Sequence, residues 1–166
     1  MKSVDERLIK LLIVDDEAGF LEALGERLEM RDFAVTALTS GKEAIEICRT
    51  EKFDLALVDL KMPGMSGQEL LTRLKDEHRY LEVIILTGHG SFGSAVECSK
   101  LGAFNYLPKP YQFDDLLGVL KDAYAERLRK KFAADLERAE KLGEIAREDS
   151  PRRIIRRMKE LDDEER

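Results

Sequence analysis

Asp54-Leu55-Ala56-Leu57-Val58-Asp59-Leu60-Lys61-Met62-Pro63-Gly64-Met65 is the most informative stretch of the 166-residue chain. Its first half is a short apolar run of the kind that suits a strand buried on both faces. It stops at Asp59, and Pro63-Gly64 then turns the chain away. Asp59 is therefore placed at the carboxyl end of a buried strand. In an open parallel sheet that end faces the ligand crevice, so a carboxylate there is a candidate for chemistry. The plainer alternative is an aspartate that only caps a turn.

Working outward, the chain alternates. An apolar run over 8–14 is closed by Asp15-Asp16-Glu17, and Phe20, Leu21, Leu24 and Leu28 then recur at helical spacing with a core-facing stripe. A short strand is expected over 34–38. Ser40-Gly41-Lys42-Glu43 and Ser66-Gly67-Gln68-Glu69 are capping-box patterns that open helices, the first burying Ala44, Ile45 and Cys48, the second Leu70, Leu71 and Leu74. A strand over 82–86 ends at Thr87. The helix after it is expected to be weak, because Gly88, Gly90 and Gly93 crowd its first turns at about 1 kcal/mol each relative to alanine. A fifth strand over 104–107 is interrupted by Pro108, which suits an edge. A helix then starts near Phe113. Five strands alternating with helices predict an α/β fold, a flavodoxin-like doubly wound five-stranded parallel sheet of order 2-1-3-4-5 with a helical C-terminal extension.

That topology brings Asp15, Asp16, Asp59, Thr87 and Lys109 to one rim. Turn capping would have to explain each separately, whereas one ligand explains them together. Crowded carboxylates repel one another and invite a cation, and an all-oxygen set suits a hard divalent ion, magnesium above all. Lys109 adds a mobile positive charge and Thr87 a hydroxyl. The bulk properties narrow the class further. A net charge of −6 disfavours a nucleic-acid surface, and no apolar run approaches a membrane span or a signal peptide, so a cytoplasmic protein without membrane contact is expected. Cys48 and Cys98 stand far apart with no metal-ligand spacing and read as small buried hydrophobes.

Over residues 10–124 these motifs resemble the receiver domains of bacterial two-component response regulators. Asp15-Asp16, Asp59-x-x-Met62-Pro63-Gly64-Met65, Thr87 and Tyr106-x-x-Lys109-Pro110 stand in the family's order. Thr87-Gly88-His89 with Gly102 to Pro110 is most similar to the nitrogen-regulator class. The resemblance implies that Asp59 accepts a phosphoryl group from a histidine kinase. It implies that magnesium is held by Asp16, Asp59 and the backbone carbonyl of Lys61, with Asp15 nearby through water. It implies that Thr87 and Lys109 hold the phosphoryl oxygens, that Thr87 and Tyr106 form a switch, and that the bond before Pro110 is cis. The plainer alternative for Tyr106, second to the switch, is an ordinary half-buried tyrosine. His89 reads as a rim residue that could tune dephosphorylation. The implied activity is a phosphorelay acceptor that catalyses its own phosphotransfer and dephosphorylation rather than an enzyme acting on other substrates. An aspartyl-nucleophile phosphatase is disfavoured, since Lys61 stands where that chemistry needs a second acid.

The domain division expected is a receiver over 7–124 and a charged extension over 125–166, where well over half of the residues are charged. Leu128, Phe132, Leu136, Ala139 and Leu142 continue a stripe at spacings of three and four, so the last receiver helix is expected to run on to about Arg147. The stripe either folds back on its own receiver or pairs two chains through the 125–147 helix as a homodimer. Ser150-Pro151 signals a final helix carrying Ile154, Ile155, Met158 and Leu161. Its arginines at the start and acids at the end oppose the helix macrodipole. The function expected is two-component signalling through protein contacts. The alternative is the regulatory receiver of a transcription activator whose effector lies outside this stretch.

Overall fold

A computed structural model describes residues 7–147 and 151–164. The chain forms β1 (Ile9–Val14), α1 (Ala18–Glu29), β2 (Phe33–Leu38), α2 (Gly41–Thr50), β3 (Leu55–Val58), α3 (Gly67–Glu77), β4 (Glu82–Thr87), α4 (Phe92–Lys100), β5 (Asn105–Pro108), α5 (Phe113–Ala146) and α6 (Pro151–Glu164). The five strands are parallel in the order β2-β1-β3-β4-β5, as expected. Side-chain alternation along the strands divides the core in two. Leu12, Val14, Ala56, Val58, Val83 and Ile85 pack with α2, α3 and α4. Leu11, Ile13, Leu55, Leu57, Ile84 and Leu86 pack with α1 and α5. Each fully buried aliphatic side chain contributes roughly 1.5–3 kcal/mol, which is why the centres of β1, β3 and β4, over 11–14, 55–58 and 83–86, read as apolar runs.

Boundaries differ from expectation by a residue or two, with one informative exception. Ser40 and Ser66 accept hydrogen bonds from the Glu43 and Glu69 backbones, but neither glutamate reaches back, so each box is half formed. The complete box belongs to α4, where the Ser91 hydroxyl accepts from Ser94 N and Ser94 accepts from Ser91 N. Of the three glycines expected in its first turns only Gly93 lies inside α4, Gly88 and Gly90 standing before the Ser91 cap, so the helix escapes most of the expected cost and is closed at its start by two serines. Pro108 ends β5 at the sheet edge, where its missing N–H leaves no ladder bond unmade. Cys48 and Cys98 are buried and free. Burial, with Glu77 and Glu51 adding to it, pushes the Cys48 thiol up to about 11, and burial raises Cys98 as well. Both should therefore alkylate far more slowly than a free thiol at pH 8, a rate that mass spectrometry reads directly.

The chain divides into two compact units after Arg127. In the second, the covered side of α5 carries Ala134, Arg138, Leu142 and Ile145, and α6 half-buries Ile154 and Leu161. Leu128, Phe132 and Leu136 of the expected stripe stay open at 48%, 65% and 51% exposure, as do Ile155 and Met158. Apolar residues thus occupy two sides of this segment, and the expected stripe follows the open side through Leu128, Phe132, Leu136 and Ala139 but ends on the covered one at Leu142. α5 ends at Ala146; Ser150, the expected cap of α6, falls outside the described residues.

Candidate functional site

The strand register sets the rim. Val14 pairs with Val58, so Asp15 and Asp59 leave the sheet side by side, and the Asp59 N–H donates to Val14 O at 3.0 Å. Asp59 is 3% exposed, and one carboxylate oxygen accepts from Leu60 N at 2.8 Å. Thr87 pairs with Pro108, and Lys109 N donates to Thr87 O at 2.9 Å, which carries the lysine onto the same edge. The Lys109–Pro110 peptide is cis. Lys109 Nζ reaches Asp15 Oδ2 at 2.6 Å, and Asp15 is 2% exposed. Thr87 Oγ1 accepts from His89 N at 3.1 Å, so its own proton is available to donate.

Carboxylate oxygens of Asp15, Asp16 and Glu17 all lie within 4.8 Å of one another. Glu17 was not singled out by sequence. It joins because its N–H donates to Asp15 Oδ1 at 2.9 Å, which turns the chain tightly into α1. Hard oxygens at this density fit a magnesium ion. Asp59 is not part of that triad, although it stands on the neighbouring strand, and Lys61 is exposed on the following loop.

Two glycines fix the surroundings. Gly67 N donates to Leu60 O at 2.8 Å, and a Cβ on Gly67 would overlap the Asp59 carbonyl and approach Leu60 Cα to 2.6 Å. Both are backbone atoms and neither can turn aside. Gly67→Ala should lower stability by about 2–3 kcal/mol, read as a fall in urea midpoint at unchanged slope. Gly90 lies against Tyr106, whose hydroxyl a Cβ there would strike. The Tyr106 hydroxyl sits 2.9 Å from Ser94 Oγ, which ties the half-buried ring to the start of α4.

Residues 11–121 match the response regulator receiver domain. The chain belongs to that family. As a receiver it is similar to the transcriptional regulatory protein GlrR of Escherichia coli K12, with 39% identity over 113 residues, 68% of this chain and 26% of the relative. It is similar also to the DNA-binding transcriptional regulator NtrC of Klebsiella pneumoniae, with 37% identity over 111 residues, 67% of this chain and 24% of the relative. Among solved structures, a receiver domain from Methanospirillum hungatei superposes with a TM-score of 0.72 at 32% identity, covering 74% of this chain and 98% of that one. The receiver spans about a quarter of the length of those two curated relatives. Membership makes it a phosphoacceptor domain of two-component response regulators, with NtrC-type relatives, and not an enzyme in the ordinary sense. Among the described residues no helix is long and apolar enough to cross a membrane.

Proposed function

We propose that Asp59 is the phosphoacceptor and that its partner in the transfer is a histidine kinase. The observation that carries this is the strand-end carboxylate of Asp59, 3% exposed, bonded to β1 and set beside the Asp15–Lys109 pair. A carboxylate oxygen of Asp59 attacks phosphorus, forming an O–P bond as the N–P bond to the kinase histidine breaks. Asp15, Asp16, Asp59 and the Lys61 carbonyl would hold magnesium, with Glu17 beside them, and the ion would supply charge neutralisation for the phosphoryl oxygens. Lys109 leaves Asp15 to pair with one phosphoryl oxygen, and the Thr87 hydroxyl donates to another. In dephosphorylation a water oxygen attacks the same phosphorus, the Asp59 O–P bond breaks, and inorganic phosphate leaves with the Asp59 carboxylate regenerated. Acetyl phosphate with magnesium should label one peptide, the one containing Asp59; label elsewhere in the chain, or none, overturns the assignment.

The added charge of roughly −2 draws Thr87 inward and frees room beside β5, so Tyr106 leaves Ser94. The output is then a change in protein contacts within the cytoplasm. One such contact is a homodimer through the 125–147 helix, supported by the open Leu128, Phe132 and Leu136. Light scattering at micromolar concentration should give a dimer for the full chain and a monomer for Leu136→Asp. A monomeric full chain, with or without phosphorylation, removes the dimer. The relatives' names favour a second reading, in which this receiver governs an attached transcription effector; a coding sequence that stops at Arg166 excludes it.

A further inference from the structure

We propose that Phe20 is a positioning residue for Lys109, holding the ammonium on Asp15 and so setting how readily a divalent cation enters the acidic cluster. This rests on the reading of that cluster given above. Lys109 Nζ lies 3.9 Å from the centroid of the Phe20 ring and 2.6 Å from Asp15 Oδ2, so the ammonium is held between a carboxylate and an aromatic face. The side chain of Lys109 is 18% exposed and that of Asp15 2%, so both contacts are made largely out of water, where charge–quadrupole attraction is strongest. Phe20 stands in the first turn of α1, five residues after Asp15, and its ring is only partly covered by the core beneath α1 and α5.

The two contacts respond differently to a second cation. The Asp15 carboxylate is shared, since it also belongs to the triad with Asp16 and Glu17. The face of Phe20 is not shared, because it has no lone pair to offer a hard ion. A lysine seated on that face therefore keeps its charge beside Asp15 and opposes the entry of another cation. An aliphatic residue at position 20 fills much the same space without the quadrupole. Replacing the ring should loosen the lysine and strengthen magnesium binding, and that effect must pass through the ammonium.

The test is a magnesium titration of the unphosphorylated full chain followed by NMR. Phe20→Leu should bind magnesium roughly three- to tenfold more tightly than the wild type, whereas Phe20→Tyr, which keeps the ring face, should match the wild type. In a Lys109→Met background, Phe20→Leu should change nothing, which closes the double-mutant cycle. An unchanged or weaker affinity in Phe20→Leu, or the same gain with and without Lys109, overturns the proposal in favour of simple packing. A readout free of the metal accompanies this: the Lys109 ε-methylene protons should be shifted upfield by the ring current in the wild type and in Phe20→Tyr, and return to ordinary values in Phe20→Leu. A wild type lacking that shift overturns the contact itself. A wild type that binds no magnesium overturns instead the reading of the acidic cluster, while the ring-current shift still decides the Phe20 contact.

Discussion

Asp59→Asn is expected to abolish phosphoryl labelling, by two orders of magnitude or more, while the protein stays folded. An amide oxygen is far too weak a nucleophile to displace a phosphoryl donor, so no partial activity should remain at that position. The fold tolerates the change because the oxygen that accepts from Leu60 N can be kept by the asparagine carbonyl, and the main-chain bond to Val14 does not involve the side chain. The comparison should be made with acetyl phosphate and magnesium at equal protein concentration, with circular dichroism as the folding control. Label appearing in Asp59→Asn at the wild-type rate would move the acceptor to another carboxylate.

Arg127→Ala should cost about 3 kcal/mol or more of stability, although the residue is nowhere near the rim. Asp54 is buried at the amino end of β3 and accepts from Lys10 N at 2.8 Å, from Arg127 Nε at 3.0 Å and from Arg7 at 3.4 Å. Arg127 is itself buried and donates to Tyr80 O at 2.6 Å. Removing the guanidinium leaves a buried carboxylate with one backbone donor and an arginine that is largely in solvent. It also strands the Tyr80 carbonyl. With a typical domain stability of about 5–15 kcal/mol, that is a large share of the total. Urea midpoints of Arg127→Ala, Asp54→Leu and the double variant should show the double losing much less than the sum, because two apolar groups replace the pair together. Additive losses would mean that the two residues act independently. It follows also that a receiver cut from its extension must keep Arg127.

What could be read from the sequence follows from range. The strands declared themselves because β1, β3 and β4 are covered on both sides over 11–14, 55–58 and 83–86, so every position in those runs is apolar and a short window suffices. The rim could be read because acids follow β1 and β3, Thr87 ends β4, and the parallel order then places these ends together. The Asp54–Arg127 pair gave no signal: the two residues are 73 positions apart, and a lone charge beside an apolar run looks like a boundary. Phe20 carried the opposite problem. Its spacing fits the core stripe of α1, and only the three-dimensional placement of Lys109 reveals that the ring's face is in use. The Ser91–Ser94 box was hidden by the glycines around it, since composition reports what weakens a helix and not what closes it. In the extension, two apolar sides on a highly charged helix gave periodicity more than one answer.

The buried pair at the foot of the sheet also orders events during synthesis. Asp54 leaves the ribosome 73 residues before Arg127, an interval of roughly 4–15 s at about 5–20 residues per second. A nascent chain that has made β1 to β4 during that interval holds a carboxylate without its guanidinium. The receiver is therefore held short of its final stability until α5 emerges, and a chain stalled before that helix is the species most exposed to proteases and chaperones.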